Sequence, residues 1–323
     1  MKVIIPVAGI GTRLRPHTHT DPKALLHVAG KPILGHILDR IGNLKISEAI
    51  FVIGFMGEDI KRYVRMNYEF KSSFVKQEEL KGLGYAIYLA SQKVKNKEPL
   101  LIILGDTIVE SDLSRVTKSN YDALGVKKVG DPRRFGIVEL KNGWVKKLIE
   151  KPDKPTSNLA IVGIYYIKST LLFKKCLARV VKTEIKTKKE YQLTDALQLM
   201  IAQGTKFSVF DVKGWYDCGK PETLLETNRH LLSKTRTERS IEGSVLIPPV
   251  YVSRYARVVN SVIGPYVSVA DDAFIKNSVI RNSIIGKKSE VNRCLLDSSL
   301  VGTGADVNGV FNKLNVGAWS EIG

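Results

Sequence analysis

Residues 3–24 contain the stretch Val3-Ile4-Ile5-Pro6-Val7-Ala8-Gly9-Ile10-Gly11-Thr12-Arg13-Leu14-Arg15-Pro16, which is followed by Asp21-Pro22-Lys23-Ala24. Its apolar start has no polar alternation, which is typical of a strand buried on both faces of an α/β sheet. The strand ends in a turn of small residues, whose backbone N–H groups can approach a ligand closely. Arg13 and Lys23 add positive charge beside this turn. The stretch therefore predicts a site for an anion with several oxygens, and a polyphosphate fits best.

Two familiar phosphate-binding loops do not match this turn. The dinucleotide fingerprint needs a third Gly where the chain has Leu14, and a P-loop needs a final Gly-Lys-Ser/Thr. The turn instead resembles the signature of the sugar nucleotidyltransferases, also called NDP-sugar pyrophosphorylases, in which Gly-Thr-Arg-Leu-x-Pro precedes Pro-Lys. Ala8-Gly9 stands where many members have a Gly pair, and this form is similar to the uridylyltransferase branch. The resemblance implies the reaction class and leaves the choice of base open.

Strand and helix patterns alternate after the turn. Apolar runs predict strands at 49–53, 74–77 and 100–106, and helical spacing of apolar residues predicts helices at 33–41, 58–66 and 85–94. This rhythm predicts a doubly wound, mainly parallel sheet that binds its ligand at the carboxyl ends of the strands. The middle of the chain is richer in strands, predicted at 135–140, 144–149, 160–167 and 207–212, with helices at 171–181, 193–202 and 221–232.

A repeat begins near residue 241. Small apolar residues recur at steps near six, often followed by Gly or Asn, as in Ile263-Gly264, Ile285-Gly286, Val301-Gly302 and Val316-Gly317. The repeat predicts hexapeptide coils stacked as a parallel β-helix, with Arg281–Ser283 bulging out as a loop. It resembles the left-handed β-helix of many members of the same family, whereas the turn signals do not have the spacing of a β-sandwich. We expect a catalytic domain at 1–232, a linker at 233–240 and the β-helix at 241–323.

The resemblance also implies a reaction and a nucleotide site. An NTP and a sugar 1-phosphate would give an NDP-sugar and pyrophosphate, with Arg13 on the β- and γ-phosphates and Lys23 on the α- and leaving phosphates. Gln77 offers both a donor and an acceptor to the imide edge of thymine or uracil, which favours dTTP or UTP. The implied nucleotide-binding residues are Ala8, Gly9, Gly11, Thr12, Arg13, Gln77 and Gly82.

The resemblance also implies a metal site formed by carboxylates and a binding site for the sugar 1-phosphate. Asp106 and Asp217, the latter within Trp215-Tyr216-Asp217-Cys218-Gly219, resemble the family's metal-holding aspartates. Mg²⁺ takes one or two carboxylates plus substrate phosphates, and is the expected cofactor. The catalytic set would be Arg13, Lys23 and Asp106. The sugar 1-phosphate, with glucose 1-phosphate as the first candidate, would be bound by Gly136, Glu150, Lys151, Gly163 and Lys188.

Composition limits the other classes of function. The net charge of +18 suggests nucleic acid, but the lysines are dispersed rather than interleaved with aromatics, so a phosphorylated substrate is favoured and no nucleic-acid partner is expected. Cys176, Cys218 and Cys294 form no CxxC pair, which argues against a disulfide framework and a zinc site. We expect no membrane partner and a cytoplasmic location, because the sequence shows neither a membrane-length apolar run nor a secretory signal.

Two other functions remain as alternatives. In one, the β-helix is an acetyltransferase, but all five histidines, the usual bases of such sites, precede the repeat. In the other, the chain is a non-catalytic subunit that senses nucleotide sugars, although Arg13, Lys23 and both aspartates are present. Because the repeat has no histidine, a structural, oligomerising or regulatory role of the β-helix is favoured over an acetyltransferase role. We expect a homo-oligomer.

Overall fold

The computed structural model describes residues 1–235 and 239–309. The chain divides into two compact units, one formed by Met1–Leu26 with Pro32–Thr223 and the other by His27–Lys31 with the described residues from Leu224 onward. Residues 236–238 of the predicted linker and the predicted repeat Val316-Gly317 lie outside the described residues.

The part of the chain up to residue 235 is of mixed α and β structure. Its strands are β1 (Lys2–Pro6), β2 (His27–Val28), β3 (Lys31–Pro32), β4 (Glu48–Ile53), β5 (Ser72–Lys76), β6 (Leu100–Ile103), β7 (Thr107–Glu110), β8 (Asp122–Lys128), β9 (Gly136–Lys141), β10 (Trp144–Glu150), β11 (Leu159–Ile167), β12 (Phe207–Asp211) and β13 (Gly214–Asp217). Its helices are α1 (Ile33–Ile41), α2 (Gly57–Asn67), α3 (Leu83–Ser91), α4 (Leu113–Val116), α5 (Thr170–Lys182), α6 (Leu193–Ala202) and α7 (Pro221–Leu232). No helix in the described ranges has the length and apolar character to cross a membrane.

The main sheet has a parallel half and an antiparallel half. In the parallel half, β1 lies between β4 and β6, and β5 lies beside β4. β11 then pairs with β6 in the antiparallel sense and also meets β8 and β9. β10 completes a hairpin with β9, and β12 runs parallel to β8. The predicted α/β fold is confirmed.

Burial explains why the apolar runs form the centre of this sheet. Every residue of β4 and β6 is buried, as are the three central residues of β1. Such strands are covered on both faces, which accounts for their lack of polar alternation. α1 buries the predicted helical face, formed by Ile33, Leu34, Ile37, Leu38 and Ile41.

Five strands of this part of the chain have no counterpart in the sequence-based prediction: β2, β3, β7, β8 and β13. β8 is buried at five consecutive positions, but its Gly125 is a poor strand former. A Cβ at Gly125 would lie 3.0 Å from Val162 Cγ2, so the close packing of β8 explains the glycine. β7 and β13 form a separate antiparallel pair of four residues each, with Asp217 opposite Thr107.

The second unit contains the predicted parallel β-helix. Its strands are β14 (Val245–Leu246), β15 (Val250–Val252), β16 (Arg257–Val259), β17 (Val262–Ile263), β18 (Val267–Val269), β19 (Phe274–Lys276), β20 (Val279–Arg281), β21 (Ile284–Ile285), β22 (Glu290–Asn292), β23 (Leu295–Asp297), β24 (Leu300–Val301) and β25 (Asp306–Asn308). They form three parallel four-stranded sheets, β14-β17-β20-β23, β15-β18-β21-β24 and β16-β19-β22-β25. Each coil therefore contributes one strand to each face.

The coils are shorter than three strict hexapeptides. Val245 pairs with Val262, Val262 with Val279 and Val279 with Leu295, so successive coils advance by 17, 17 and 16 residues. Single left-handed residues, which turn the chain sharply, lie between faces at Asn260, Asn277 and Arg293. The expected bulge at Arg281–Ser283 is wrong: Asn282 is another left-handed corner with φ 46°, and Ser283 is fully buried.

A core substitution should show how strongly the parallel half depends on burial. Phe51 in β4 has no exposed surface and stacks on Phe74 at 5.3 Å between ring centroids. Phe51→Ala should lower the free energy of unfolding by about 3–5 kcal/mol, because it removes a large apolar side chain from a packed site. Urea denaturation measures this, with Phe55→Ala as the matched control. Phe55 is 73% exposed and should change stability by only about 0.5 kcal/mol. Equal losses for the two variants would contradict the interpretation.

Candidate active site

The loop after β1 is held by Gly11. This residue has φ 71°, and its carbonyl accepts hydrogen bonds from the Thr18 hydroxyl at 2.9 Å and from the Leu14 N–H at 2.9 Å. A Cβ at Gly11 would lie 3.0 Å from Lys23 Cβ and 3.0 Å from Thr18 Cγ2. A side chain here would therefore be strained by its φ and crowded by Lys23. The glycine therefore lets the turn that contains Gly11 pack against the segment that contains Lys23.

A cavity of about 440 Å³ opens beside this loop at the carboxyl edge of the parallel strands. Its walls come from the loop, from the segment after β5, from the start of α3 and from the segment after β6. Its lining includes all the residues expected to bind the nucleotide, together with Lys23 and Asp106: Ala8, Gly9, Gly11, Thr12, Arg13, Gln77 and Gly82. The structure thus brings the predicted nucleotide set to one cavity.

Gln77 and Gly82 belong to a turn that packs on a distant segment. Gln77 is 5% exposed, and its Nε2 donates to the Glu79 carbonyl at 3.1 Å. Gly82 has φ 104°, and a Cβ there would lie 2.7 Å from the Tyr191 carbonyl oxygen. The Tyr191 N–H donates to the Lys81 carbonyl, and its carbonyl accepts from the Gly84 N–H. The glycines of this turn therefore allow backbone-to-backbone packing in addition to any role toward a ligand.

A second cavity, of about 600 Å³, lies over β9, β10 and β11. Of the site residues singled out in the sequence, it is lined by Arg13, Asp106, Gly136, Glu150, Lys151, Gly163 and Asp217. Lys188 is not among its lining residues or those of the first cavity. Its Nζ instead pairs with Asp153 Oδ1 at 2.9 Å.

Glu150 is held in the second cavity by two neighbouring side chains. Its Oε2 accepts a hydrogen bond from the Thr194 hydroxyl at 3.0 Å, and its Oε1 lies 3.4 Å from Lys151 Nζ. Gly136 is its cross-strand partner, and a Cβ there would lie 3.0 Å from Glu150 Oε2. Lys151 has a φ of 43°, an unusual conformation for a residue with a side chain. Strain of this kind is often kept at functional sites, where surrounding contacts determine the backbone.

The two aspartates meet through the pairing of β7 with β13. Asp217 faces Thr107 in that register, and the Cys218 N–H donates to the Asp106 carbonyl at 3.1 Å. Burial alone would raise the pKa of the Asp106 carboxyl, but the Lys23 ammonium and the Thr107 hydroxyl outweigh burial and hold that pKa below its usual value. Asp106 is therefore a carboxylate at neutral pH.

Arg13 and Asp106 line both cavities, as do Leu83, Leu104 and Glu190. Within the described residues, Arg13 makes no ion pair and Asp217 makes none. The two cavities thus meet at the unpaired Arg13 and at Asp106, with Asp217 lining the second cavity, and two anionic substrates could be brought together there.

Several lining residues of the second cavity were missed in the sequence. Tyr165 is 4% exposed, and burial together with the charges of Glu150 and Asp106 raises the pKa of its hydroxyl. Arg134 lines the same cavity and has no ion pair among the described residues. Thr194 also lies there, bound to Glu150. Arg134 is adjacent to the singled-out Phe135-Gly136, which was the available signal, whereas Thr194 begins an ordinary helical pattern.

The fold in which these cavities lie is that of a nucleotidyltransferase. The chain belongs to the nucleotidyl transferase family, which matches residues 2–234.

Individual relatives are similar over most of the chain. It is 34% identical over 316 residues to the bifunctional protein GlmU of Methanocaldococcus jannaschii, covering 90% of this chain and 74% of that protein. It is 31% identical over 333 residues to a glucose-1-phosphate thymidylyltransferase of Streptomyces griseus, covering 94% and 92%. A crystal structure of UDP-glucose pyrophosphorylase complexed with UDP-glucose superposes with a TM-score of 0.64 at 25% identity, covering 72% of this chain and 99% of that one.

Proposed function

We propose that this protein transfers a nucleotidyl group from dTTP or UTP to a sugar 1-phosphate in the cytoplasm, with glucose 1-phosphate as the first candidate. The observation that carries the proposal is the meeting of the two cavities at Arg13 and Asp106. One cavity would hold the triphosphate and base, and the other would hold the sugar 1-phosphate. The names of the thymidylyltransferase and UDP-glucose pyrophosphorylase relatives support the same reaction class.

The proposed reaction joins two anions. An oxygen of the sugar phosphate attacks the α-phosphorus in line, a new P–O bond forms, and the bond to the β-phosphate oxygen breaks with release of pyrophosphate. Catalysis of this kind depends on positioning and charge neutralisation more than on a proton-transfer base. Arg13 would contact the β- and γ-phosphates, and Lys23 would contact the α-phosphate and the departing pyrophosphate.

Asp106 and Asp217 would hold a divalent cation, Mg²⁺ in this proposal. Among the described residues no group of three or more His, Cys, Asp or Glu side chains could hold a metal ion. The carboxylates of Asp106, which lines both cavities, and of Asp217, which lines the second, nevertheless fit Mg²⁺, which takes its other ligands from substrate phosphates and water. The bound cation would neutralise charge that develops on the phosphate oxygens. Asp106 and Asp217 would orient it.

The sugar side would work through Glu150, Lys151 and two glycines. Glu150 is fixed by Thr194, so its carboxylate is oriented to accept from sugar hydroxyls. Lys151 would meet the sugar phosphate, because it follows β10 directly and lines the same cavity. Gly136 and Gly163 would let the sugar lie against the backbone. Lys188 would reach the phosphates only after leaving Asp153.

The reaction is tested by pyrophosphate release from dTTP and UTP, each paired with several sugar 1-phosphates. We expect Mg²⁺-dependent release for at least one pair, and Asp217→Asn should reduce the rate roughly 100-fold or more, because the cation loses a charged ligand. Asp211→Asn is the matched control, since Asp211 lies on β12 and lines neither cavity. No release with any pair would refute the function, and near-full activity of Asp217→Asn at low Mg²⁺ would refute the metal site.

Gln77 would read the imide edge shared by thymine and uracil. Its buried amide lines the first cavity, and a base edge left unpaired there costs about 1–3 kcal/mol. Gln77→Ala should therefore lower kcat/KM for dTTP and UTP alike, roughly 5- to 150-fold. Gln92→Ala is the control, because Gln92 caps α3 and lines neither cavity. A loss confined to one nucleotide would place base recognition elsewhere.

An acetyltransferase activity in the β-helix is an alternative that the name of one relative supports. The protein from Methanocaldococcus jannaschii is called bifunctional, and this chain covers 74% of it. None of the five histidines lies after residue 230, so an acetyltransferase in the β-helix would need another base. The regulatory-subunit alternative is less favoured, because the charged residues that the reaction needs are gathered at one place.

We also propose that the β-helix joins copies of this chain into a homo-oligomer. Four apolar residues occupy matching positions on successive strands of the β14-β17-β20-β23 sheet and form an apolar ladder: Val245, Val262, Val279 and Leu295. Of these, Val245 is 56% exposed, Val279 43% and Leu295 84%. By contrast, the β16-β19-β22-β25 sheet presents Arg257, Lys276, Glu290 and Asp306. An apolar ladder repeated in every copy is self-complementary, as a symmetric interface requires.

Charge placed on the ladder should separate the copies. Leu295→Asp would bury a carboxylate against apolar side chains, so the mass measured by sedimentation or light scattering should fall toward that of a monomer. Lys276→Asp is the control, because it puts the same residue on the polar sheet and should leave the mass unchanged. An unchanged mass for both variants would rule out this face as the interface.

A further inference from the structure

The side chain of Lys23 is bound to Asp106. Lys23 Nζ donates to Asp106 Oδ2 at 2.8 Å, and the Thr107 hydroxyl donates to Oδ1 at 3.1 Å. The Lys23 side chain is 11% exposed and that of Asp106 is 45% exposed. Both oxygens of the carboxylate therefore already have donors, and the ammonium is largely withdrawn from solvent.

This pairing is incompatible with the separate tasks of the two residues in the proposed reaction. Asp106 must offer an oxygen to a cation, but an ammonium occupies Oδ2. Lys23 must approach phosphates, but its charge is committed to Asp106. A lysine ammonium is a point charge on a flexible stem, so it can exchange one oxygen partner for another without backbone movement.

We propose that the Lys23–Asp106 ion pair is an exchange switch that couples cation binding to nucleotide binding. The inference rests on the proposed function. Asp106 releases Lys23 when the carboxylate takes up a divalent cation, and the freed ammonium then binds the triphosphate. Without a cation, the pair keeps the carboxylate neutralised and keeps Lys23 from free anions. No covalent bond changes, and only the partners of one ammonium and one carboxylate are exchanged.

The charges around the pair agree with such an exchange. Asp217 is adjacent through the β7–β13 pairing, and Arg13 lines the same junction. Glu190 also lines both cavities and adds a third carboxylate. If Lys23 left without replacement, Asp106 would face Asp217 with no cation on it. A divalent cation at the carboxylates removes that penalty, so Lys23 becomes available when the cation arrives.

Coupling between two sites is reciprocal, which makes the switch measurable from both sides. If the cation strengthens nucleotide binding by a given factor, the nucleotide strengthens cation binding by the same factor, typically about 5- to 150-fold. Removing either partner of the pair should therefore reduce the coupling. The two substitutions should, however, change the nucleotide affinity in opposite directions: removing the carboxylate should raise the affinity measured without a cation, and removing the ammonium should lower the affinity for the nucleotide.

Binding measurements on the full chain test the proposal without turnover. Calorimetry of dTTP and UTP is run in EDTA and in Mg²⁺ for the wild type and for Asp106→Asn. The neutral amide holds the ammonium weakly, so Asp106→Asn should bind nucleotide in EDTA about 10-fold more tightly than the wild type and gain less from Mg²⁺. Lys23→Met leaves Asp106 uncompensated, and it should bind Mn²⁺ alone about 10-fold more tightly by paramagnetic resonance, while its nucleotide affinity falls.

Lys61→Met is the matched control. Lys61 pairs with Glu58 at 2.6 Å on α2, and removing that pair should change neither affinity. If Asp106→Asn binds metal-free nucleotide no better than the wild type, or if Lys23→Met gains no affinity for Mn²⁺, the exchange is wrong. Either result is independent of the proposed function, which stands or falls with pyrophosphate release by the wild type.

Discussion

Parallel pairing of β1 with β4 and β6 is the constraint on which the site depends. The carboxyl ends of these strands lie at one edge of the sheet, so the loop after β1 meets the acid after β6 although 83 residues separate Lys23 from Asp106. Every residue of β4 and β6 is buried, and a one-residue slip would move each side chain to the opposite face of the sheet, against packing partners it does not fit. Hydrophobic burial thus fixes the register, and the register brings the charges together.

The features that could be predicted from the sequence are those that depend on local residue patterns, and the features that could not be predicted depend on contacts between distant segments. The buried strands and the Gly11 turn carry local signals, because burial and a left-handed φ each restrict the residue type directly. The β7–β13 pairing, the packing of the Gly82 turn on Tyr191 and the Lys188–Asp153 pair depend on distant segments. No local pattern encodes such contacts, so the aspartates could be named from the resemblance while their juxtaposition could not be derived.

The β-helix shows a similar limit in its periodicity. Steps near six indicated coils correctly, but the chain turns at single left-handed residues and the coils advance by 17 or 16 residues instead of 18. Asn at such a corner is a readable signal, as at Asn260 and Asn277. Arg293 has the same conformation without that signal. The averaged spacing therefore predicts the architecture well and the position of each corner poorly.

Charge pairing bears on selectivity as well as on stability. A chain with a net charge of +18 attracts polyanions of many kinds, so attraction alone does not distinguish a substrate. Within the described residues, Lys23 is neutralised by Asp106 while Arg13 stays unpaired, so a metal-free anion meets one free cation at this junction rather than two. In the proposed exchange, a nucleotide that arrives with its own divalent cation would bring the partner that Asp106 needs, and it would thereby gain the charge of Lys23. The same ion pair would thus keep both groups neutralised in the metal-free protein and favour the metal complex of the nucleotide over other anions.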